Sequence, residues 1–288
     1  PMLVNRFHPD EALYGYWALL IALGRDPGLV GVPVYKPPLL PYLIAVTQGL
    51  LGKSEFAVRL PGLAAGMLTV PLAAALTHAL YRDRRAALTA AAVMALSPFA
   101  ILFSATAFTD LPMVALGIGA GLAAARGRPN RAGLLVGLAF AAKRTGLAWL
   151  PLVMLFSLSG GASLSLKRSA LRVGRLLLAF GGIAALVFGW DAMRVALGAE
   201  SFWHLGVTGY GGLRFIWPRE VWSRLADWLA LARYLFVSPI VGGALLVGLP
   251  VLGCRALTRS RRTRCAFVDL CLIAFLAAYV ILHWLWAF

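Results

Sequence analysis

Five short stretches of the chain carry residue types that move protons or hold phosphate. In His8-Pro9-Asp10-Glu11-Ala12-Leu13-Tyr14, a carboxylate at a membrane surface can accept the proton of a hydroxyl as that hydroxyl turns nucleophile. Two acids beside a proline equally suit the first turn of a helix, where the dipole is positive. Asp110, in Thr109-Asp110-Leu111-Pro112, sits at the mouth of an apolar block. An ionisable residue there is costly and points to function, although a helix cap before Pro112 explains it as well. Lys36 precedes the stiff pair Pro37-Pro38, which holds it extended. It can meet a lipid phosphate as a point charge or simply snorkel to bulk lipid. Lys143-Arg144 interrupts another apolar run, and Arg59 opens Arg59-Leu60-Pro61-Gly62. Each of these cations needs an anion, which a phosphate or one of the nearby acids could supply.

Other signals are weaker. Gly117, Gly119 and Gly121 lie within an apolar helix, where close packing explains them better than a nucleotide loop. His78 is placed near an inner helix end with a structural role, while His8, His204 and His283 fall on the outer side without metal-ligand spacing. Cys254, Cys265 and Cys271 cluster around one basic loop and form no disulfide framework. No P-loop, nucleophile elbow or zinc-type spacing is present. The sequence points to no particular cofactor and no metal-ligand set, and leaves a divalent metal open.

The elements that position these residues are membrane helices. Apolar residues make up 61% of the chain and charged ones 13%, with a mean hydropathy of +0.82. A soluble domain carries about 25% charged residues, so a soluble globular protein is excluded. Apolar blocks fall at 60–81, 86–103, 111–125, 132–142, 145–158, 173–190, 228–252 and 266–287, near the length that spans a bilayer. Residues 132–158 read as two short helices broken at Lys143-Arg144-Thr145-Gly146, tolerable where irregular backbone faces protein or a watery cavity. The expected fold is all-α, a polytopic transmembrane bundle of about eight passes in a single domain over 1–288. Interfacial helices are expected in the outer loops 1–59 and 191–227.

Charge supports this layout. The net charge is +16, and the basic residues lie in short runs between apolar blocks. One side holds the loops Arg82–Arg85, Arg126–Arg131, Lys167–Arg175 and Cys254–Cys265, with 15 of the 27 Lys and Arg residues. Nine of the eleven acids fall on the other side. The basic side is the cytoplasm by the positive-inside rule, and the bilayer, not nucleic acid, is the partner implied. The stretch Glu11–Leu23, with Leu13, Trp17 and Leu20 on one face, and the aromatics Phe202, Trp203, Tyr210, Trp217, Trp222 and Trp228 read as an interfacial belt.

In order, Asp10-Glu11-Ala12-Leu13-Tyr14-Gly15, Tyr35-Lys36-Pro37-Pro38-Leu39, Glu55-Phe56-Ala57-Val58-Arg59-Leu60-Pro61-Gly62, Leu96-Ser97-Pro98, Thr109-Asp110 and Gly137-Leu138-Ala139-Phe140-Ala141-Ala142-Lys143 resemble one family. The series is similar to GT-C glycosyltransferases of the protein O-mannosyltransferase type, whose bacterial relatives include the lipid A aminoarabinose transferase. The similarity covers about residues 8–155. It implies a polyprenyl-phosphate-linked sugar donor, a hydroxyl-bearing acceptor (protein, lipid or glycan) and transfer on the outer face of the membrane. It also implies Asp10 as general base or as the group that positions the acceptor, with Glu11 beside it and Asp110 sharing the site. Lys36 would lie near the donor phosphate, joined by Arg59, Lys143 and Arg144. The family pattern further implies a helix before residue 1 and more helices after residue 288, so an amino-terminal portion is expected. Cations where charge grows on the leaving phosphate would stabilise the transition state, and attack opposite the phosphate would invert the anomeric carbon. A secondary transporter is the rival, but such proteins place charged groups near the midplane and often repeat internally. Composition points to a GC-rich bacterial source and its cytoplasmic membrane.

Overall fold

The computed structural model describes residues 6–158, 166–209, 214–235 and 264–287. Helix α1 (Pro9–Ala22) starts where Pro9 fixes the first turn and His8 caps it. The backbone N–H of Asp10 donates to His8 Nδ1 at 3.2 Å, and that of His8 donates to Glu11 Oε2 at 3.0 Å, a reciprocal capping box. Helix α2 (Leu39–Leu51) follows the proline pair, and α3 (Glu55–Tyr81) is capped by Ser54. Asp83 caps α4 (Arg84–Ala95), and Ser97 with Pro98 restarts the chain as α5 (Pro98–Ser104). Then come α6 (Asp110–Ala125), α7 (Pro129–Ala142), a 3₁₀ turn (Arg144–Ala148) and α8 (Trp149–Leu158). The long α9 (Leu166–Ala196) leads to α10 (Phe202–Thr208), and α11 (Val221–Leu235) and α12 (Arg264–Leu285) complete the described helices. Arg214-Phe215 pairs antiparallel with Trp286-Ala287.

The helices run between two chemically distinct ends. Asp10, Asp110, Lys143 and Gly206 mark one end, which also receives the end of α9. Arg82, Arg126, Arg128 and Arg172 mark the other, where they surround one pocket. Three of the four basic loops expected on one side thus contribute to this pocket; residues 254–263 of the fourth lie outside the described residues. Helices α3 and α9 are each long and apolar enough to cross a membrane alone, and α4–α5, bent by 55°, forms a third crossing if counted as one. The block 86–103 is thus two helices broken at Leu96-Ser97 rather than one. The break at 143–146 is present: Lys143 is extended (φ −152°, ψ 136°) and ends α7. Of the expected pass at 228–252, residues 236–252 lie outside the described residues, as do Cys254 and Tyr210.

Packing follows from small residues at crossings. At Gly133 of α7 any Cβ would collide with the Leu176 carbonyl of α9, so only glycine allows this approach. Gly117 lies under the Trp149 ring and Gly121 beside Phe156, which assigns the α6 glycines to packing. Trp17 is fully buried with Tyr14, Ala18, Leu29 and Ile44. It belongs to the interior, because α1 is held between α2 and the rest of the bundle rather than lying free in the interface. Phe202 is likewise buried, while Trp203, Trp217 and Trp222 are exposed as an interfacial belt requires.

Candidate active site

The site is built on the first turns of α1, α3 and α6 and the break after α7. Glu11 is its strut. Its Oε1 accepts from Arg59 Nε at 2.9 Å and from the Ala107 N–H at 2.9 Å; its Oε2 accepts from Arg59 Nη2 at 3.3 Å and from the His8 N–H. Burial alone would push this carboxyl up, but the hydrogen bonds from Arg59, His8 and Ala107 hold it below the ordinary glutamate range. Arg59 is itself buried, with Phe7 against its guanidinium and Glu55 Oε2 at 3.4 Å. Both groups were expected to act on substrate. In this geometry they face each other with their hydrogen-bonding capacity largely committed.

Asp10, one residue earlier, points the other way and stays partly open. The Tyr35 hydroxyl donates to its Oδ1 at 3.2 Å. Tyr35 in turn lies edge-on to Trp17, with Lys36 Nζ 5.0 Å from its ring centre. Across the site, Lys143 Nζ donates to Asp110 Oδ1 at 2.6 Å, with side chains 27% and 40% exposed. The pair is short because the broken helix ends with Lys143 extended and α6 begins with Asp110. Arg144 turns away: its Nη2 donates to the Gly206 carbonyl at 2.8 Å, and Trp203 stacks near its guanidinium.

These contacts close into a ring. Asp10 reaches Tyr35, the Tyr35 carbonyl lies against Gly206, Gly206 holds Arg144, and Lys143 holds Asp110. Ala107, three residues before Asp110, returns to Glu11, and Phe108 packs edge-on against His8. All seven residues expected from the sequence, Asp10, Glu11, Lys36, Arg59, Asp110, Lys143 and Arg144, belong to this ring or touch it. Residues close in sequence to Lys36, Arg59 and Asp110 line an apolar groove of about 740 Å³. Leu39, Pro61 and Pro112 lie at its upper end, and Leu72, Gly119 and Leu135 deeper in the bundle. Among the described residues, no group of three or more His, Cys, Asp or Glu side chains is placed to hold a metal ion.

Sequence reasoning missed a second buried network that fixes the far wall. Asp191 Oδ1 accepts from the Phe202 N–H at 2.9 Å and Oδ2 from the Ser201 hydroxyl at 2.6 Å. Arg194, fully buried, pairs with Asp191 at 3.3 Å and donates to the carbonyls of Leu29, Val32 and Glu200. It thereby ties the loop between α1 and α2 to the end of α9 and to α10. The available signal was Asp191 and Arg194 one turn apart at the end of an otherwise apolar helix.

The family model described as dolichyl-phosphate-mannose-protein mannosyltransferase matches residues 35–188, more than half of the chain. The chain belongs to this mannosyltransferase family. The match begins at Tyr35-Lys36 and includes Arg59, Asp110 and the Lys143-Arg144 break, while Asp10 and Glu11 fall outside it. The structure is also similar to the crystal structure of ArnT from Cupriavidus metallidurans in the apo state. The TM-score is 0.61 at 16% identity, over 98% of this chain and 57% of that one. This likeness establishes the fold, a GT-C helical bundle, and the chain spans little more than half the length of ArnT. An integral membrane protein of the mannosyltransferase family agrees with the apolar helices and does not favour the transporter reading.

Proposed function

We propose that this chain carries the donor-side catalytic centre of a membrane glycosyltransferase. The enzyme would move a sugar from a polyprenyl-phosphate carrier to a hydroxyl of a protein, lipid or glycan. The site would face outward from a bacterial cytoplasmic membrane. The observation that carries this reading is the ring itself: two half-open carboxylates, Asp10 and Asp110, share it with Lys36 and Lys143 above an apolar groove. Such a groove, lined by Leu39 and Pro112 close in sequence to Lys36 and Asp110, suits a ligand with an anionic head and a long hydrocarbon tail.

Chemistry follows from the arrangement. The acceptor oxygen attacks the anomeric carbon as the bond to the lipid-phosphate oxygen breaks, and that oxygen keeps the electron pair. Attack from the opposite face inverts the centre. Asp10 takes the acceptor proton, its carboxylate oriented by the Tyr35 hydroxyl. Lys143 meets the growing negative charge on the phosphate, and Asp110 holds the ammonium in place for it. Lys36, fixed before the proline pair, adds a second positive charge at the groove mouth. We reassign Glu11 and Arg59 to positioning, since their mutual bonds set the height of Asp10 without leaving capacity for substrate. Arg144 positions α10 through Gly206.

The decisive experiment follows polyprenyl-phosphate release from a panel of polyprenyl-phosphate sugars by the protein in proteoliposomes. Abolished turnover in Asp10→Asn and reduced turnover in Asp110→Asn, with donor binding retained, are expected. Turnover equal to wild type in both variants overturns the site, and release from no donor removes the support for transfer.

A further inference from the structure

The end of the bundle opposite the carboxylates contains a cavity of about 780 Å³ that sugar transfer does not use. Three separate segments converge on it. Arg82 caps α3 in a left-handed conformation (φ 57°), Arg126 and Arg128 flank the α6–α7 turn, and Arg172 rises from the first turns of α9. His78 lies on the wall, and Ala75, Ala79 and Ala125 supply a methyl-lined floor. The positive-inside rule accounts for arginines at this end. It does not account for four of them sharing one cavity, where like charges repel.

No carboxylate offsets them. Among the described residues, none of the four arginines has an ion pair or a side-chain hydrogen bond. The acids at this end make their contacts elsewhere: Asp83 accepts from the Arg85 and Ala86 N–H groups, and Asp269 accepts from the Tyr81 hydroxyl at 2.5 Å. Arg82, Arg126 and Arg128 are exposed and Arg172 is half-buried, so an anion from the surroundings can reach all four. The volume falls in the range of small-molecule sites and exceeds what one inorganic phosphate fills. Basic pockets between membrane helices at the cytoplasmic level match the head groups of anionic lipids. Guanidinium forks match phosphate oxygens in pairs.

We propose that this pocket binds the phosphodiester head group of an anionic phospholipid from the adjacent leaflet. The arginines hold the phosphate, and the alanine floor takes the glycerol and the first methylenes. The lipid clamps the ends of α3, α6, α7 and α9 to one another. This inference does not rest on the glycosyltransferase reading, because the site lies at the other end of the helices.

The test reconstitutes the protein in phosphatidylcholine vesicles with increasing phosphatidylglycerol and records the thermal midpoint. Lipids retained on the protein are counted by native mass spectrometry. Phosphatidylglycerol should raise the midpoint, and retained lipid should be seen for wild type. The Arg126→Gln/Arg128→Gln/Arg172→Gln variant should bind it about 100-fold more weakly, at roughly one tenfold step or somewhat less per lost charge. Arg84→Gln, outside the pocket, should behave as wild type. An unchanged lipid response in the triple variant overturns the proposal. An equal rise with inorganic phosphate in pure phosphatidylcholine overturns the lipid assignment in favour of a free-anion site.

Discussion

Arg59 grips the Glu11 carboxylate through Nε at 2.9 Å and Nη2 at 3.3 Å, joining residues 48 positions apart. The same carboxylate holds the Ala107 N–H, 96 positions further along, so one buried anion locks α1, α3 and the entry to α6 together. Asp10 leaves this lock on one side and Asp110 on the other. The separation of the two carboxylates proposed to react is thus set by a third that is held away from solvent.

The lock and the reactive group can be told apart by substitution. Removing one partner of a buried pair leaves the other charge unmatched and costs about 3–5 kcal/mol. Glu11→Ala should therefore lower the thermal midpoint sharply, and Arg59→Met similarly. Asp10→Asn, one residue away but half-open, should leave the midpoint within error while abolishing turnover. A small midpoint change in Glu11→Ala would show that Arg59 finds another anion.

Acid should act through the same group. The Glu11 carboxyl is held below its ordinary value of 4.5. As pH falls through that value the unfolded chain takes up the proton first, so the folded state loses stability. The contribution is complete above 4.5 and is lost as pH drops through the lower folded value. Thermal midpoints followed downward from neutral pH should fall more steeply below that point in wild type than in Glu11→Gln. Parallel curves would remove Glu11 from the acid response.

Much of this site was legible because it is made of charges in an apolar sequence. Asp110, Lys36 and Lys143-Arg144 stand out against blocks of Ala and Leu, and the break at 143–146 follows from two cations inside one run. What sequence could not separate was adjacent residues with opposite fates. Asp10 and Glu11 are chemically alike, and only the helical turn of about 100° between neighbours sends one to the groove mouth and the other into the core. Trp17 read as an interfacial aromatic for a similar reason: its face of α1 is covered by partners distant in sequence, which periodicity does not reveal. The Asp191–Arg194 lock was hidden because its remaining partners, the Ser201 hydroxyl apart, are backbone groups.

The Lys143–Asp110 pair gives a prediction that divides binding from chemistry. If Lys143 meets charge that grows only as the phosphate leaves, Lys143→Ala should lower kcat by about 10²–10³-fold with a smaller change in KM. Asp110→Asn should lower kcat less, since the ammonium remains but is no longer held. Lys143→Arg should recover little, because a planar fork does not replace a point charge in this setting. An effect confined to KM would make Lys143 a ground-state anchor only.

Gly62 offers a purely steric route to the same site. It lies in α3 one turn after Arg59, and a Cβ there would strike the Thr106 carbonyl. That carbonyl belongs to the residue before Ala107, whose N–H is fixed on Glu11 Oε1. Gly62→Ala must push the 105–109 segment outward, lengthening the Ala107 bond and shifting Asp110 at the segment's end. Overpacking of this kind costs about 1–3 kcal/mol, so the protein should still fold with a modestly lower midpoint. Turnover should fall further than stability does, because Asp110 and Lys143 would be displaced from the groove mouth. Gly49→Ala in α2, where an added Cβ meets nothing within 4 Å, should leave both turnover and stability close to wild type. Equal losses in the two variants would show that the 105–109 segment moves without consequence for the ring.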